Sequence, residues 1–180
     1  MKEEFDKKLV EAFPLLYGDR HASKQSTAMC WGFSCNDGWF EIIWNLSSKL
    51  EPLIQKFIDE NPAAEVHPRA SQVKEKFGGL RFYMTHINDE IRDLIGETEA
   101  LSYKICEDCG KPGEERDAGW IFTHCDGCHE NWEERRNNSL LKAANKVMSD
   151  YKNTFQKLAH GSPCLGCGCN PCDCGWGYEE

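Results

Sequence analysis

Apolar residues recur with a helical period in four stretches of the chain and with a strand period in one. Phe5, Leu9, Val10 and Phe13 fall on one face of a helix over residues 2–13, which Pro14 ends. Residues 17–37 show no period and read as irregular and polar. The strongest amphipathic pattern runs through Trp39, Ile42, Ile43, Leu46, Leu50, Leu53, Ile54, Phe57 and Ile58. Asp37 is placed to cap that helix and Pro62 to stop it. Pro52 lies inside the pattern and predicts a kink or a break, because it lacks the amide a helix needs.

The period then changes. Residues 72–77 alternate loosely and residues 80–84 resume the alternation, with Gly78-Gly79 between them as a two-residue loop. This predicts a β-hairpin over about residues 65–86. Asn88 caps a helix carrying Ile91, Leu94, Ile95, Leu101 and Ile105. A long helix over 130–159 follows, with an apolar stripe from Trp132 through Leu140, Leu141, Ala144, Val147, Met148, Tyr151 and Phe155 to Leu158. Gly161 and Pro163 end it. The predicted fold is α+β and mainly helical.

Two cysteine pairs sit between the last two helices. Cys106 and Cys109, then Cys125 and Cys128, give C-x2-C-x15-C-x2-C, a tetrahedral zinc spacing. Each short turn aims two sulfurs at one point, and two turns close a shell with no open position. That points to a structural ion in a zinc ribbon or knuckle over 106–128. His124 and His129 flank the second pair and are alternative ligands. Lys104, Lys111 and Arg116 are near enough in sequence to offset the negative charge of thiolates.

Composition changes the picture in three ways. Eleven cysteines are many for 180 residues, but the count is odd and the pairs stand at metal spacing, so reduced thiols are expected rather than a disulfide scaffold. Mean hydropathy is −0.63, and no apolar run approaches the ~18 residues of a membrane span. With a charged rather than apolar N-terminal stretch, this predicts a soluble, cytoplasmic protein with no membrane partner. The formal net charge of −9 argues against non-specific duplex binding, which needs lysine and arginine against phosphate.

A domain over 1–160 is therefore expected, followed by a separate tail over 161–180. The tail holds Cys164, Cys167, Cys169, Cys172 and Cys174 within eleven residues. Such a segment builds no hydrophobic core. It can wrap a second metal with four of its five sulfurs, with zinc favoured over an iron–sulfur cluster, or stay loose until it meets a partner. Trp176 and Tyr178 follow as interface anchors or as residues packing back on the domain. Cys30 and Cys35 with His21 are a third candidate group, set against simple buried thiols. In the hairpin, Lys74, Lys76 and Arg81 interleave with Phe77, Phe82 and Tyr83, a pattern that can hold nucleic acid or can be one wet and one dry strand face. No G-x-S-x-G, P-loop, H-E-x-x-H or deaminase signature occurs, so no enzyme is expected.

Four blocks occur in a fixed order: Cys35-Asn-Asp-Gly-Trp39-Phe, Gln72-Val-Lys-Glu-Lys-Phe-Gly-Gly-Leu-Arg-Phe-Tyr83, Ile105-Cys-Glu-Asp-Cys-Gly-Lys-Pro-Gly113 and Gly119-Trp-Ile-Phe-Thr-His-Cys125. In these, over residues 31–128, the chain resembles a group of small, mostly uncharacterised bacteriophage and prophage proteins. Among those similar proteins the fourth metal ligand often looks like a histidine, where this chain has Cys128. The resemblance implies a phage-type accessory protein working inside a bacterial cell and does not extend to the tail. Together these readings predict a non-enzymatic zinc protein that binds a host defence or transcription component. The alternative is a nucleic-acid-binding zinc ribbon using Lys74, Lys76 and Arg81.

Overall fold

The computed structural model describes residues 1–161, with side chains through residue 154. The expected ligands Cys164, Cys167, Cys169, Cys172 and Cys174, and the aromatics Trp176 and Tyr178, lie outside the described residues. Two compact units divide the chain at Asn131/Trp132. The fold is α+β and mainly helical. No helix among the described residues is long and apolar enough to cross a membrane.

The first unit is built on helix α1 (Glu3–Ala12), strand β1 (Phe33–Ser34), helix α2 (Phe40–Glu60), strands β2 (Ala70–Lys76) and β3 (Gly79–Met84), and helix α3 (Asp89–Ser102). Strands β4 (Glu114–Asp117) and β5 (Ile121–His124) complete it, and helix α4 (Asp126–Gly161) begins in it. Helix α2 buries Ile42, Ile43, Leu46, Leu50 and Ile54 of the stripe its periodicity predicts, and Ser47 beside them, while Leu53, Phe57 and Ile58 are half-buried. It runs unbroken through Pro52. Both Pro52 and Ser48, whose carbonyl would have accepted the missing N–H, are exposed, so water can take that bond. Asp37 does not cap α2. It opens a 3-10 turn, Asp37–Trp39, and its carboxylate accepts the backbone N–H of Lys2 at 2.7 Å.

The segment expected to be irregular and polar supplies core instead. Tyr17, Met29, Phe33 and Cys35 are all buried. Phe33 enters through β1, which pairs in parallel with β2, Phe33 facing Val73. The Tyr17 hydroxyl shares a 2.6 Å hydrogen bond with Ser47, and its ring meets that of Phe33 at 5.0 Å. Arg20 donates from Nε and a terminal nitrogen to both oxygens of Asp6, and to the Cys30 carbonyl at 3.0 Å, tying α1 to this segment.

The hairpin turn falls one residue earlier than the sequence suggests. Its loop is Phe77-Gly78, with φ of 55° and 74°, and Lys76 pairs with Gly79. Two positive φ values in a two-residue loop match the twist of the flanking strands. Gly79 is a strand residue, needed bare because a Cβ there would stand 2.5 Å from the Tyr103 hydroxyl. β3 is an edge strand, in the order β1-β2-β3. Two of its free amides are met by α3: Leu80 N–H donates to Ser102 Oγ at 2.8 Å and Phe82 N–H to Glu99 Oε1 at 2.9 Å. Helix α3 starts at its predicted cap, where Asn88 Oδ1 accepts the Ile91 N–H at 2.8 Å, and ends at Ser102. It therefore stops short of Ile105, which forms an isolated bridge to Pro112.

Of the second unit, residues 132–161 are described, all within α4. Leu140, Leu141, Val147, Met148 and Tyr151 are each more than half exposed.

Candidate metal centre

Between its two cysteine pairs the chain makes a hairpin, β4–β5, in the register Glu114 to His124 through Asp117 to Ile121. The first pair lies on a tight turn before it. Gly110, at φ 76°, donates its N–H to the Cys106 carbonyl at 2.9 Å, which folds Cys109 back toward Cys106. The second pair opens α4, where the His129 N–H reaches the Cys125 carbonyl at 3.0 Å.

The result is one group of four sulfurs, Cys106, Cys109, Cys125 and Cys128, all within 4.8 Å of one another. Sulfur atoms around a tetrahedral ion at ~2.3 Å should be about 3.8 Å apart. Cys109 and Cys125 stand at 3.6 Å, close to that edge and far beyond a disulfide bond of ~2.05 Å. The four residues are positioned to hold a metal ion. The N–H of Cys128, on the first turn of α4, donates to the Cys125 sulfur and pulls that thiol down to about 7. Burial pushes the Cys106 thiol the other way, and a bound cation would favour the thiolate at every position of the set.

His124 is buried beside the cluster and is not in it. Its ring stacks on Phe122 at 4.9 Å, and its Nε2 lies 3.7 Å from Asp108. The His129 ring stands 6.2 Å from that of His124. Arg116, expected to offset the thiolates, is bound to Glu114 at 2.9 Å and to Asp126.

The knuckle is joined to the core through residues whose role the sequence did not signal. Gly38 N–H donates to the Glu107 carbonyl at 2.7 Å. A Cβ on Gly38 would meet the Cys106 carbonyl, with Glu107 O and Gly110 N each at 2.5 Å. Trp39, fully buried, donates from Nε1 to the Ile105 carbonyl at 2.8 Å. Glu107, between the first two ligands, is buried, accepts the Asn36 N–H at 2.9 Å, and is pushed up to about 7 by that burial. On the other side, Thr123 donates to the Gly78 carbonyl at 2.6 Å, so β5 is fastened to the β2–β3 turn. The N-D-G-W block is the one cue in the sequence for this contact: a glycine beside a tryptophan, where backbone packs on backbone.

The other sequence candidates are placed as follows. His21, Cys30 and Cys35 do not join a metal-holding group among the described residues, and Cys35 is a core residue. Burial pushes its thiol up to about 12. Lys74 and Arg81 face each other across the hairpin, but Arg81 is used internally, donating to Leu80 O at 2.7 Å and Tyr103 Oη at 2.8 Å. The Lys74 ammonium lies 5.6 Å from the Tyr83 ring, and that of Lys76 lies 5.2 Å from the Phe77 ring.

No protein-family model, curated protein or solved structure gives a significant match to this chain.

Proposed function

We propose that the four sulfurs hold zinc as a structural ion in a ribbon-type module. The protein is then a non-enzymatic, phage-type accessory factor that works by binding a host protein such as a defence or transcription component. Four thiolates fill a tetrahedral shell and leave no position for a substrate, which supports a structural rather than a catalytic ion.

The observation that carries the binding reading is Phe77. It is 63% exposed and sits at φ 55°, where glycine or asparagine would be unstrained. An exposed aromatic in a strained turn weakens the fold, and such residues recur at functional sites. Trp120, 61% exposed, stands on the neighbouring β4–β5 turn, which packs on Gly78 through Ile121. Two rigid aromatic anchors on adjoining turns suit a protein interface.

Native mass spectrometry tests the first half: a chain ended after Gly161 should carry one zinc, and a metal-free folded chain would refute it. An additional zinc on the full chain would place a second site in the tail. Recovery from a bacterial lysate tests the second half. The tagged wild type should retain one host protein in stoichiometric amount, and Phe77→Asn/Trp120→Ser should lose it. Equal recovery by both would refute it.

A second reading, nucleic-acid binding, rests on the two lysine–aromatic pairs of the hairpin. Lys74 and Lys76 flank rings able to stack on bases. Single-stranded DNA should then bind at low salt and release steeply as salt rises, with Lys74→Ala/Lys76→Ala abolishing the signal. No binding at low salt removes this reading.

A further inference from the structure

The four sulfurs of the metal centre are not equally reachable. Cys106 is buried and Cys109 is exposed, with Cys125 and Cys128 between those extremes. The Cys109 sulfur stands 3.6 Å from that of Cys125, which belongs to the other pair. We propose that Cys109 and Cys125 form an oxidation site, at which a hydroperoxide closes a disulfide and thereby releases the metal. The site's role rests on zinc filling the quartet, as proposed for this module.

Position decides which sulfurs react. Cys109 is the donor a solute meets first, and accessible thiolates are the ones oxidised. Cys106 is out of reach and held on both sides: its N–H donates to the Lys111 carbonyl at 2.8 Å, and its carbonyl accepts the Gly110 N–H at 2.9 Å. Cys128 sits on the first turn of α4, whereas Cys125 precedes the first helical residue, Asp126, so its side chain can turn without disturbing the helix. The Cys109 and Cys125 sulfurs must approach by about 1.5 Å to reach the ~2.05 Å of a disulfide. That bridge would close the segment carrying β4 and β5, so the hairpin keeps its ends together in the oxidised form.

The step balances with hydrogen peroxide as the oxidant. The Cys109 thiolate attacks one peroxide oxygen, the O–O bond breaks, a sulfenic acid forms and hydroxide leaves. The Cys125 thiolate then attacks the Cys109 sulfur, the S–S bond forms, the S–O bond breaks and a second hydroxide leaves. The sulfurs together give up two electrons, which the peroxide takes. Cys106 and Cys128 are then the remaining thiolates of the set, too few for a tetrahedral shell. The bonds from Gly38 N–H to the Glu107 carbonyl and from Trp39 Nε1 to the Ile105 carbonyl use no ligand side chain. They persist through the reaction, so a dithiol and fresh zinc can restore the centre.

The test uses the full, zinc-loaded chain with Cys164→Ser, Cys167→Ser, Cys169→Ser, Cys172→Ser and Cys174→Ser, so that every zinc counted belongs to the quartet. Hydrogen peroxide is added, zinc release is followed with a chromophoric chelator, and disulfides are mapped by peptide mass spectrometry. Release should keep pace with a Cys109–Cys125 disulfide, buried Cys35 should remain a free thiol, and dithiothreitol with added zinc should reverse both changes. Cys109→His, which keeps a fourth donor, should release zinc about tenfold more slowly or slower still. Should Cys109→His bind no zinc, the disulfide map decides. Zinc retained under peroxide, a first disulfide between other cysteines, or release from Cys109→His at the parent rate overturns the proposal. A chain that holds no zinc before peroxide is added refutes the zinc reading, and the proposal with it.

Discussion

Gly38→Ala is the sharpest test of how the metal knuckle is held. Gly38 has an ordinary negative φ, so alanine is conformationally permitted and the whole effect is steric. The new methyl would stand 2.5 Å from Glu107 O and Gly110 N, where real Cβ contacts begin above 3.0 Å, and it would also strike the Cys106 carbonyl. All three obstacles are backbone of the turn that carries Cys106 and Cys109, so no side chain can swing aside. Overpacking of this kind costs typically ~1–3 kcal/mol. Moving the turn also lengthens the 2.7 Å bond from Gly38 N–H to Glu107 O, worth about 1 kcal/mol. The entropy alanine removes from the unfolded chain gives back roughly 0.5–1 kcal/mol. The net loss should be about 1–3.5 kcal/mol, and because the strained turn holds two ligands it should appear largely in metal affinity, as a drop of roughly 5-fold to a few hundred-fold. Competition with a chromophoric chelator measures Zn²⁺ affinity, and urea unfolding with and without metal measures the rest. Gly127→Ala is the control in the same module: a Cβ there meets nothing within 4 Å, at an early helical position. It should be neutral or stabilising by up to ~1 kcal/mol. If Gly38→Ala keeps its affinity within threefold of wild type, the knuckle is not seated as described.

Three further outcomes are expected. Trp39→Phe strips the Ile105 carbonyl of its 2.8 Å donor and leaves part of the buried indole's space empty, so it should cost at least about 1–3 kcal/mol by urea denaturation; no change would contradict the packing of this corner. Phe77→Asn removes strain at φ 55° and should raise stability by ~1 kcal/mol in a thermal melt, even though it deletes a proposed anchor; a lower melting temperature would show the ring to be structural. Cys35, protonated well above the ordinary thiol range, should resist alkylation at pH 8 in the folded protein and react once urea unfolds it. Its folded thiol is raised from an ordinary 9.0 to about 12, so the associated stability is complete below pH 9 and falls as pH rises toward 12, by up to ~1.4 kcal/mol per pH unit. Rapid labelling of folded Cys35 would contradict its burial.

Long periodic elements and the ligand quartet were legible in the sequence because each is a local pattern. The stripe of α2 repeats five times over, and C-x2-C pairs carry their own geometry. What was hidden depends on contacts between distant segments. Tyr17, Met29 and Phe33 stand in short apolar clusters that keep neither a helical nor a strand period, yet each is buried in the core. Gly78 and Gly79 are interchangeable as turn formers until Tyr103, more than twenty residues away, claims the space over one of them. Pro52 leaves the Ser48 carbonyl without its donor, but both residues are exposed and the helix continues through them. Asp37 reads as a cap, but the Lys2 amide reaches it first.

The bonds between the Asn36–Trp39 corner and the knuckle also set an order of events during synthesis. Asn36 N–H finds Glu107, and Trp39 finds Ile105, across 71 and 66 residues of intervening chain. Closing loops of that length is slow, and neither contact can exist until the ribosome has released residues well past 107. Cys125 and Cys128 emerge later still. Until Ile105 is out, the corner lacks its cover over Trp39, and Cys125 and Cys128 arrive after it has formed. The metal ion would close the first unit as a late step, which makes metal supply at that moment a determinant of how much chain reaches the native state.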